Sequence, residues 1–291
     1  MVTRKQHYYP RGLLKHFANE NKKVFVYTRK SKGKDIGKKI IRMNYEKICA
    51  SNYAYESEDQ IDNILENKLG TYESKVIPII DYIIENFDSP DFLVTKEDEQ
   101  ILFQYIWLQY LRTDMGRINF INFFENIFSY KPRKKPLGLE EIENNKEKIN
   151  RFNKVFKQDN NLERLLNSFI NTDTMNFHIA LSTENLLTSD NPVIGTDNWA
   201  QIILPISPRI CIEFQHDIIN SSKNLLVLLA PDKIRYLNKA TINTANYFVI
   251  SNEYFTNEQI QYIDERFNNE NFTWYYPHAN NLKVLNDKNY K

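Results

Sequence analysis

Glycine is scarce in this sequence, with seven glycines among 291 residues. Loops that cradle the phosphates of a nucleotide need glycine at closely spaced positions, and the strings G-x-G-x-x-G and G-x-x-x-x-G-K are both absent. We therefore expect no nucleotide cofactor, and we expect no haem.

Cysteine and histidine are also few, at two and five residues. The motifs C-x-x-C, H-E-x-x-H and G-x-S-x-G do not occur, so a zinc site is not expected. Cys49 and Cys211 each lie between apolar residues, which favours buried reduced thiols over a disulfide or a nucleophile. Such thiols, together with a basic start that has no apolar leader, predict a cytoplasmic protein.

Long hydrophobic runs are missing as well. The purely apolar run at residues 225–230 is far shorter than the roughly 20 residues of a membrane span. It predicts a buried strand, and no membrane partner is expected. Aromatic residues make up 13% of the chain, which indicates a core filled largely by rings.

The net charge is only +1, but the charges are unevenly distributed. Residues 1–47 contain 14 Lys and Arg against three acidic residues, a net charge of +11, so the rest of the chain carries −10. Basic residues interleaved with aromatic rings are typical of surfaces that bind RNA or DNA. The candidate nucleic-acid contacts are Arg4, Lys5, Tyr8, Tyr9, Arg11, Lys15, Tyr27 and Arg29. The alternative is a solvated basic hairpin without a partner.

The sequence pattern predicts an α+β protein that opens with a β hairpin. Residues 24–27 and 36–43 read as its strands, joined by a turn containing residues 32–34. Helical spacing of apolar residues predicts a helix over 58–87 with a kink or break at Pro78, and a second from Lys96 capped by Thr95. A further helix is expected over 117–128.

The second half of the chain changes character after residue 130. Residues 131–148 are rich in Pro, Lys and Glu and predict a linker or mobile loop. A helix to about residue 171 is followed by predicted strands at 176–181, 202–204, 210–214 and 225–229 and a helix at 232–247, which indicates a mixed or antiparallel C-terminal sheet with helices. We expect one domain over 1–291, with a subdivision into 1–130 and 149–291 as the alternative.

Several short strings resemble one bacterial family. They are QHYYPRGLLKHF at residues 6–17, VFVY at 24–27, QYLR at 109–112, SDNPV at 189–193 and LPISP at 204–208. With further matches at residues 48–55, at Glu66 and Glu73 and at Leu237-Asn238, the similarity spans roughly residues 6–251, and the combination resembles the family of unknown function DUF4238. Members of that family often carry an acidic residue shortly before the aromatic aligned with Tyr55, where this chain has Ala50-Ser51-Asn52.

The resemblance marks a set of polar residues, dispersed along the chain, whose side chains are of types that can take part in catalysis. Its members are His7, Glu66, Glu73, Arg112, Arg117 and Asp190. His7 is a candidate general acid or base, with the alternative that its imidazole bonds a backbone carbonyl and holds the N-terminus. Asp190 lies in a strand-to-turn sequence, so a turn-making role stands beside a catalytic one.

Glu66 and Glu73 are two helical turns apart, so both can project from one face of a helix and bind a hard divalent cation such as Mg²⁺ or Mn²⁺. The alternative is a pair of ordinary surface or salt-bridging carboxylates. Arg112 lies on an otherwise apolar helix, where a buried arginine needs an anionic partner. Glu73 is a candidate for that partner.

These features favour a metal-dependent phosphodiesterase that acts on nucleic acid. In this hypothesis Glu66, Glu73 and Asp190 bind the metal, His7 transfers a proton and Arg112 stabilises the developing charge. A toxic or defence role would follow from such an activity. The alternatives are a non-enzymatic module that recognises an anionic partner, and hydrolysis or transfer on a small phosphorylated molecule.

Overall fold

The computed structural model describes residues 4–29, 40–56, 61–129, 133, 135, 137–168, 175–195, 201–216, 225–269 and 272–273. The N-terminal part contains β1 (Lys5–His7), α1 (Arg11–Leu14), β2 (Lys23–Thr28), β3 (Ile40–Asn44) and β4 (Ala50–Asn52). The central block contains α2 (Ile64–Asn86), α3 (Lys96–Leu111), α4 (Asp114–Glu125), α5 (Leu139–Asn144), α6 (Lys146–Lys157) and α7 (Asn161–Ser168).

The C-terminal part combines strands with two further helices. Its elements are β5 (Met175–Leu181), β6 (Thr188–Ser189), β7 (Ile194–Gly195), β8 (Gln201–Ser207), β9 (Ile210–His216), β10 (Leu226–Leu228), α8 (Pro231–Thr244), β11 (Phe248–Ser251) and α9 (Asn257–Asn268). The predicted α+β class is therefore confirmed.

Two larger sheets organise the strands. One has the order β10-β5-β9-β8-β7 and is mixed, because β10 pairs with β5 in parallel while its other pairs are antiparallel. The other has the order β3-β2-β11-β6 and is antiparallel. The predicted N-terminal hairpin is present as β2 and β3, but its predicted turn lies outside the described residues. Because β2 also pairs with β11, segments from the two ends of the chain share one sheet.

The helices differ from the sequence predictions at their ends. The helix predicted from residue 58 begins at Ile64, after Asn63 adopts a left-handed backbone with φ of 62°. It continues through Pro78 without a break. The predicted cap of α3 is confirmed, since Thr95 and Asp98 form a reciprocal capping box. In the predicted linker 131–148, α5 and the start of α6 are helical.

The main core lies where the N-terminal strands, the helical block and the sheets meet. It includes the fully buried rings of Tyr9, Phe17 and Tyr105, as the aromatic content predicts. Both cysteines are buried and free, in agreement with the sequence. Among the described residues, no helix combines the length and the apolar character that crossing a membrane requires.

Candidate functional site

Arg112 lies directly after α3 and is the hub of a buried polar cluster. Its Nε donates to the hydroxyl of Tyr55 at 3.0 Å, and its Nη1 donates to Oε1 of Glu73 at 2.6 Å. Its Nη2 donates to the backbone carbonyl of His7. The Arg112–Glu73 pair proposed from the sequence is thus present, and it links the end of α3 to α2 and β1.

Tyr55 provides the second junction of this cluster. Its ring is fully buried, and its hydroxyl donates to the carbonyl of His7 at 3.0 Å. The guanidinium carbons of Arg112 and Arg117 lie 5.8 and 5.9 Å from the ring centroid. Both distances are within the range of cation–π attraction. The sequence marked Tyr55 only as an aligned aromatic, and no local pattern indicated that two arginines converge on it.

Glu66 projects from α2 two turns before Glu73 and is partly buried. Its Oε2 is buried and has no hydrogen-bond partner among the described residues. Burial raises the pKa of Glu66 to about 7, the charges of Glu73 and Glu56 also raise it, and the charges of Arg112 and Arg11 oppose this shift. Near neutral pH this carboxyl group therefore exists in both protonation states.

Asp190 has a different environment from the two glutamates. Its carboxylate accepts hydrogen bonds from the backbone N–H groups of Asn246, Tyr247 and Phe248, at 3.0 to 3.2 Å. Burial raises the pKa of Asp190 to about 7, while these backbone donors lower it. The side chain therefore joins the end of β6 to the start of β11. These partners lie 56 to 58 positions away in the chain, so the contact differs from the local turn-making role expected from the sequence.

The three predicted metal ligands are not brought together. Within the described part of the chain, no group of three or more His, Cys, Asp and Glu residues is placed to hold a metal ion. Glu66 and Glu73 influence each other electrostatically on one helix, whereas the oxygens of Asp190 are bound to backbone N–H groups. Only the two glutamates remain as candidate ligands of a shared cation.

His7 contributes its backbone rather than its ring to the cluster. Its Nε2 lies 3.3 Å from the carbonyl oxygen of Glu46. Burial lowers the pKa of His7, the hydrogen bond to Glu46 opposes this shift, and the charges of Arg11, Lys5 and Arg112 add to it. The imidazole therefore holds the N-terminal strand to the backbone, as in the alternative drawn from the sequence.

A second set of polar side chains extends from Arg117. Its Nη2 donates to Oδ1 of Asp114 at 2.8 Å, and its Nη1 donates to Oδ1 of Asn153 at 3.2 Å. Tyr247 donates from its hydroxyl to the other oxygen of Asp114 at 3.2 Å. Sequence reasoning missed Asp114, Asn153 and Tyr247, and the only local signal was the position of Asp114 in the first turn of α4.

Another buried network, which the sequence analysis did not predict, connects β1 to the segment before α2 and to α6. The side-chain amide nitrogen of Gln6 donates to Oε1 of Glu56 at 3.0 Å, and its amide oxygen accepts from the backbone N–H of Tyr55 at 2.9 Å. Lys157 on α6 donates to the other carboxylate oxygen of Glu56 and forms an ion pair with Asp62 at 3.0 Å. This network positions Tyr55 and the start of α2.

The predicted stacking residues are mostly part of the core. Tyr9 is fully buried, and its hydroxyl oxygen accepts from Thr188 at 3.2 Å. Tyr27 is 2% exposed, and its hydroxyl donates to Asp264 at 2.5 Å. Neither ring can stack on a nucleic-acid base, because both side chains are buried in the protein. Tyr8 is partly buried and packs against the main core.

The predicted basic contacts divide into two groups. Arg4, Lys5 and Arg11 are exposed. Lys15 forms an ion pair with Asp81 at 2.7 Å, and Arg29 donates to the carbonyl of Leu137 at 3.1 Å. The basic residues at positions 30, 32, 34, 38 and 39 lie outside the described residues.

The fold and the site define an α+β protein whose N-terminal strand is tied to a helical block by a buried Arg–Tyr–Glu cluster. The family model described as "Protein of unknown function (DUF4238)" matches residues 5–254, and the chain belongs to this family. A search of the curated proteins found no match. A search of the solved structures found none either.

Proposed function

We propose that the protein is a phosphodiesterase acting on nucleic acid, in which Glu66 transfers the proton and the exposed residues Arg4, Lys5 and Arg11 hold the phosphate backbone. The observation that carries this proposal is the buried oxygen of Glu66, which has no partner among the described residues and lies within reach of the charges of Arg112 and Arg11. Glu66 replaces His7 in the proton-transfer role, because the ring of His7 is turned to a backbone carbonyl.

Hydrolysis of a phosphodiester needs proton transfer at two oxygens. Water forms a bond to phosphorus and loses a proton, while the bond to the leaving oxygen breaks and that oxygen gains a proton. A carboxyl group is an efficient general acid or base when its pKa lies near the working pH. The pKa of Glu66, about 7, supports this role.

Arg112 acts in this proposal as a positioning residue. All three of its donor nitrogens already bond Tyr55, Glu73 and the carbonyl of His7. It therefore does not contact the phosphate directly, but its positive charge lowers the pKa of Glu66 against the effect of burial. Its role is to hold Glu66 in an environment where both protonation states are populated.

The divalent cation expected from the sequence fits this site in part. Mg²⁺ is commonly bound through one or two carboxylates and keeps several waters. In this proposal Glu73 would supply such a carboxylate through Oε2, because its Oε1 is bound to Arg112 and Glu66 is the proton-transfer group. A cation held there would polarise a phosphoryl oxygen.

The test compares wild type, Glu66→Gln and Glu85→Gln on labelled single- and double-stranded RNA and DNA, with Mg²⁺, with Mn²⁺ and with chelator. Glu85 is an exposed carboxylate on the same helix and is the matched control. We expect cleavage to fall by about 10²-fold or more in Glu66→Gln and to be unchanged in Glu85→Gln. Unaltered cleavage by Glu66→Gln, or the lack of cleavage by folded wild type, contradicts the proposal.

A second candidate function is a binding module for an anionic partner. It is favoured by Arg112, whose three guanidinium nitrogens all bond groups of the protein itself. The cluster then stabilises the fold and takes no part in a reaction. In this case the variant Arg4→Gln/Lys5→Gln/Arg11→Gln loses affinity for nucleic acid, and no product forms with any variant. The same cleavage assay, run beside a binding assay, separates the two functions.

A further inference from the structure

An apolar surface lies at the C-terminal end of α4 and in the turn that follows it. Four large apolar side chains within six residues are exposed there and form what we call the α4 tip: Phe123, Phe124, Ile127 and Phe128. Their exposed fractions are 39%, 57%, 52% and 103%, so the ring of Phe128 is fully open to solvent. Single exposed apolar side chains are ordinary, but a group of them close together indicates a surface that contacts another body.

The α4 tip is anchored to the protein by contacts between its rings. The centroids of Phe123 and Phe124 lie 5.3 Å apart with the rings edge to face, and Phe124 lies 4.6 Å from Phe120. Phe120 in turn lies 5.7 Å from Phe152 of α6, and both pack against the main core. The first half of α4 is buried, so this helix cannot lie lengthwise on another surface. Contact through α4 is therefore confined to its tip.

Basic residues follow the α4 tip directly in the sequence. Four of the five residues 131–135 are Lys or Arg. The chain between Phe128 and residue 131 can span at most about 11 Å. Residues 123–135 contain only one acidic residue, Glu125, and so carry a net charge of +3. The chemistry of this part of the chain is thus an apolar group beside a basic one.

Ion pairs do not change that net charge. Arg133 pairs with Glu141, and Glu125 pairs with Lys148 at 2.7 Å, so each of these two charges is balanced from outside the segment. The remaining charge comes from three lysines, of which Lys135 is described and exposed. The positive charge beside the tip favours an anionic partner.

The side chains of the α4 tip distinguish between three kinds of anionic or apolar partner. Ile127 has no ring to stack on a base, and the rings of Phe123 and Phe124 already contact each other edge to face, which disfavours single-stranded nucleic acid. A second copy of the chain would present another projecting Phe128 rather than a recess for it. A bilayer interface takes up projecting hydrocarbon side chains without a preformed pocket, and its anionic headgroups complement lysine.

We propose that the α4 tip inserts into the surface of an anionic lipid bilayer, with Ile127 and Phe128 at the acyl boundary and the adjacent basic residues attracted to the headgroups. Such binding is peripheral and needs no helix that crosses the membrane. The sequence-based expectation of no membrane partner rested on the lack of a spanning run, which does not bear on surface contact. The proposal is independent of the cleavage reaction, because the tip contains none of the residues assigned to it.

The first test is sedimentation of the protein with vesicles of phosphatidylcholine, alone or mixed with an equal amount of phosphatidylserine. Ile127→Ser/Phe128→Ser removes two side chains of the tip, and Leu93→Ser/Tyr254→Ser, at positions 65% and 63% exposed, is the control. We expect wild type and the control to bind the anionic vesicles and the tip variant to bind them about tenfold or more weakly. Equal binding of the two variants, or no binding by wild type, overturns the proposal.

The second test assigns the electrostatic part of the binding. Lys131→Gln/Lys134→Gln/Lys135→Gln is compared with Arg4→Gln/Lys5→Gln/Arg11→Gln, which removes the same number of charges from the N-terminal segment. We expect the lysine variant to bind anionic vesicles about tenfold or more weakly and the N-terminal variant to bind like wild type. An equal or larger loss in the N-terminal variant overturns the proposal.

Two further outcomes would assign the α4 tip to another partner and so overturn the proposal. One is binding of single-stranded RNA, without vesicle binding, that is lost in Ile127→Ser/Phe128→Ser. The other is a wild-type dimer, measured by analytical ultracentrifugation in the absence of lipid, that dissociates in the same variant. A monomer that binds anionic vesicles through these side chains supports it.

Discussion

Arg112 donates a hydrogen bond to the backbone carbonyl of His7, a residue 105 positions earlier in the chain. This contact lies between the two most recognisable strings of the sequence, residues 6–17 and 109–112. It places the N-terminal strand that carries His7 beside the C-terminal end of the aromatic helix α3. The link depends on the backbone of His7, so it survives substitution of the imidazole.

Replacing Arg112 is expected to be strongly destabilising. Arg112→Lys keeps the charge but cannot reproduce the three separate hydrogen bonds, and we expect the free energy of unfolding to fall by about 3 kcal/mol. Arg151→Lys is the control, since Arg151 forms an exposed pair with Glu147 on one helix and should change stability by less than about 0.5 kcal/mol. Urea denaturation measures both. A loss below 1 kcal/mol for Arg112→Lys would show that the cluster is dispensable.

The hydroxyl of Tyr55 can be removed without removing its ring. Tyr55→Phe deprives Arg112 Nε of an acceptor and the carbonyl of His7 of one of its two donors. We expect a loss of about 1–3 kcal/mol in unfolding free energy, because buried polar groups are left unpaired. The matched change Tyr53→Phe, at a residue 37% exposed in the same segment, should be nearly neutral. Equal effects of the two substitutions would contradict this account.

Asp190→Asn tests whether this carboxylate is structural. The amide keeps one oxygen but turns an NH₂ group towards the backbone donors of residues 246–248, and we expect a loss of about 2–4 kcal/mol in stability. Asp232→Asn, at an exposed position, is the control. If cleavage is found, Asp190→Asn should retain it at temperatures where the variant is folded. Loss of cleavage by a fully folded Asp190→Asn would return Asp190 to the catalytic set.

The raised pKa of Glu66 predicts how stability depends on pH. Burial raises it to about 7, from an ordinary value of 4.5. Between those limits the folded protein binds more protons than the unfolded chain, so the contribution of Glu66 to the free energy of unfolding falls as the pH rises from about 4 to 7 and then levels off. Urea denaturation at several pH values should show a shallower fall in Glu66→Gln. An unchanged profile in that variant would mean that Glu66 titrates normally.

Local sequence signals accounted for the elements but only for part of the site. The cap at Thr95 was predictable because a capping box is contained within four residues. The start of α2 was not, because hydrogen bonds to Gln6 and Glu56 hold Asn63 in a left-handed conformation, and the helix begins only after it. The Arg112–Glu73 pair could be proposed, since a buried arginine requires an anion.

The remaining errors concern contacts between distant segments. Tyr9 and Tyr27 resemble stacking residues in a basic segment, but their burial depends on partners at Thr188 and Asp264. The separation of Asp190 from the two glutamates likewise follows from the position of residues 246–248, which no spacing rule describes. The sequence shows which residue types are present, but the composition of the site depends on contacts between segments that are far apart in the chain.

The pairing of β2 with β11 has a consequence for how the protein is made. Val26 lies opposite Ile250, so the hydrogen-bond partner of an early strand is synthesised more than 200 residues later. Until then β2 has only β3 beside it, and its other edge is open to any strand that it meets. Closing so long a loop makes completion of this sheet a late event in folding. A ribosome-bound chain that ends before β11 therefore carries its basic N-terminal segment on an unfinished sheet.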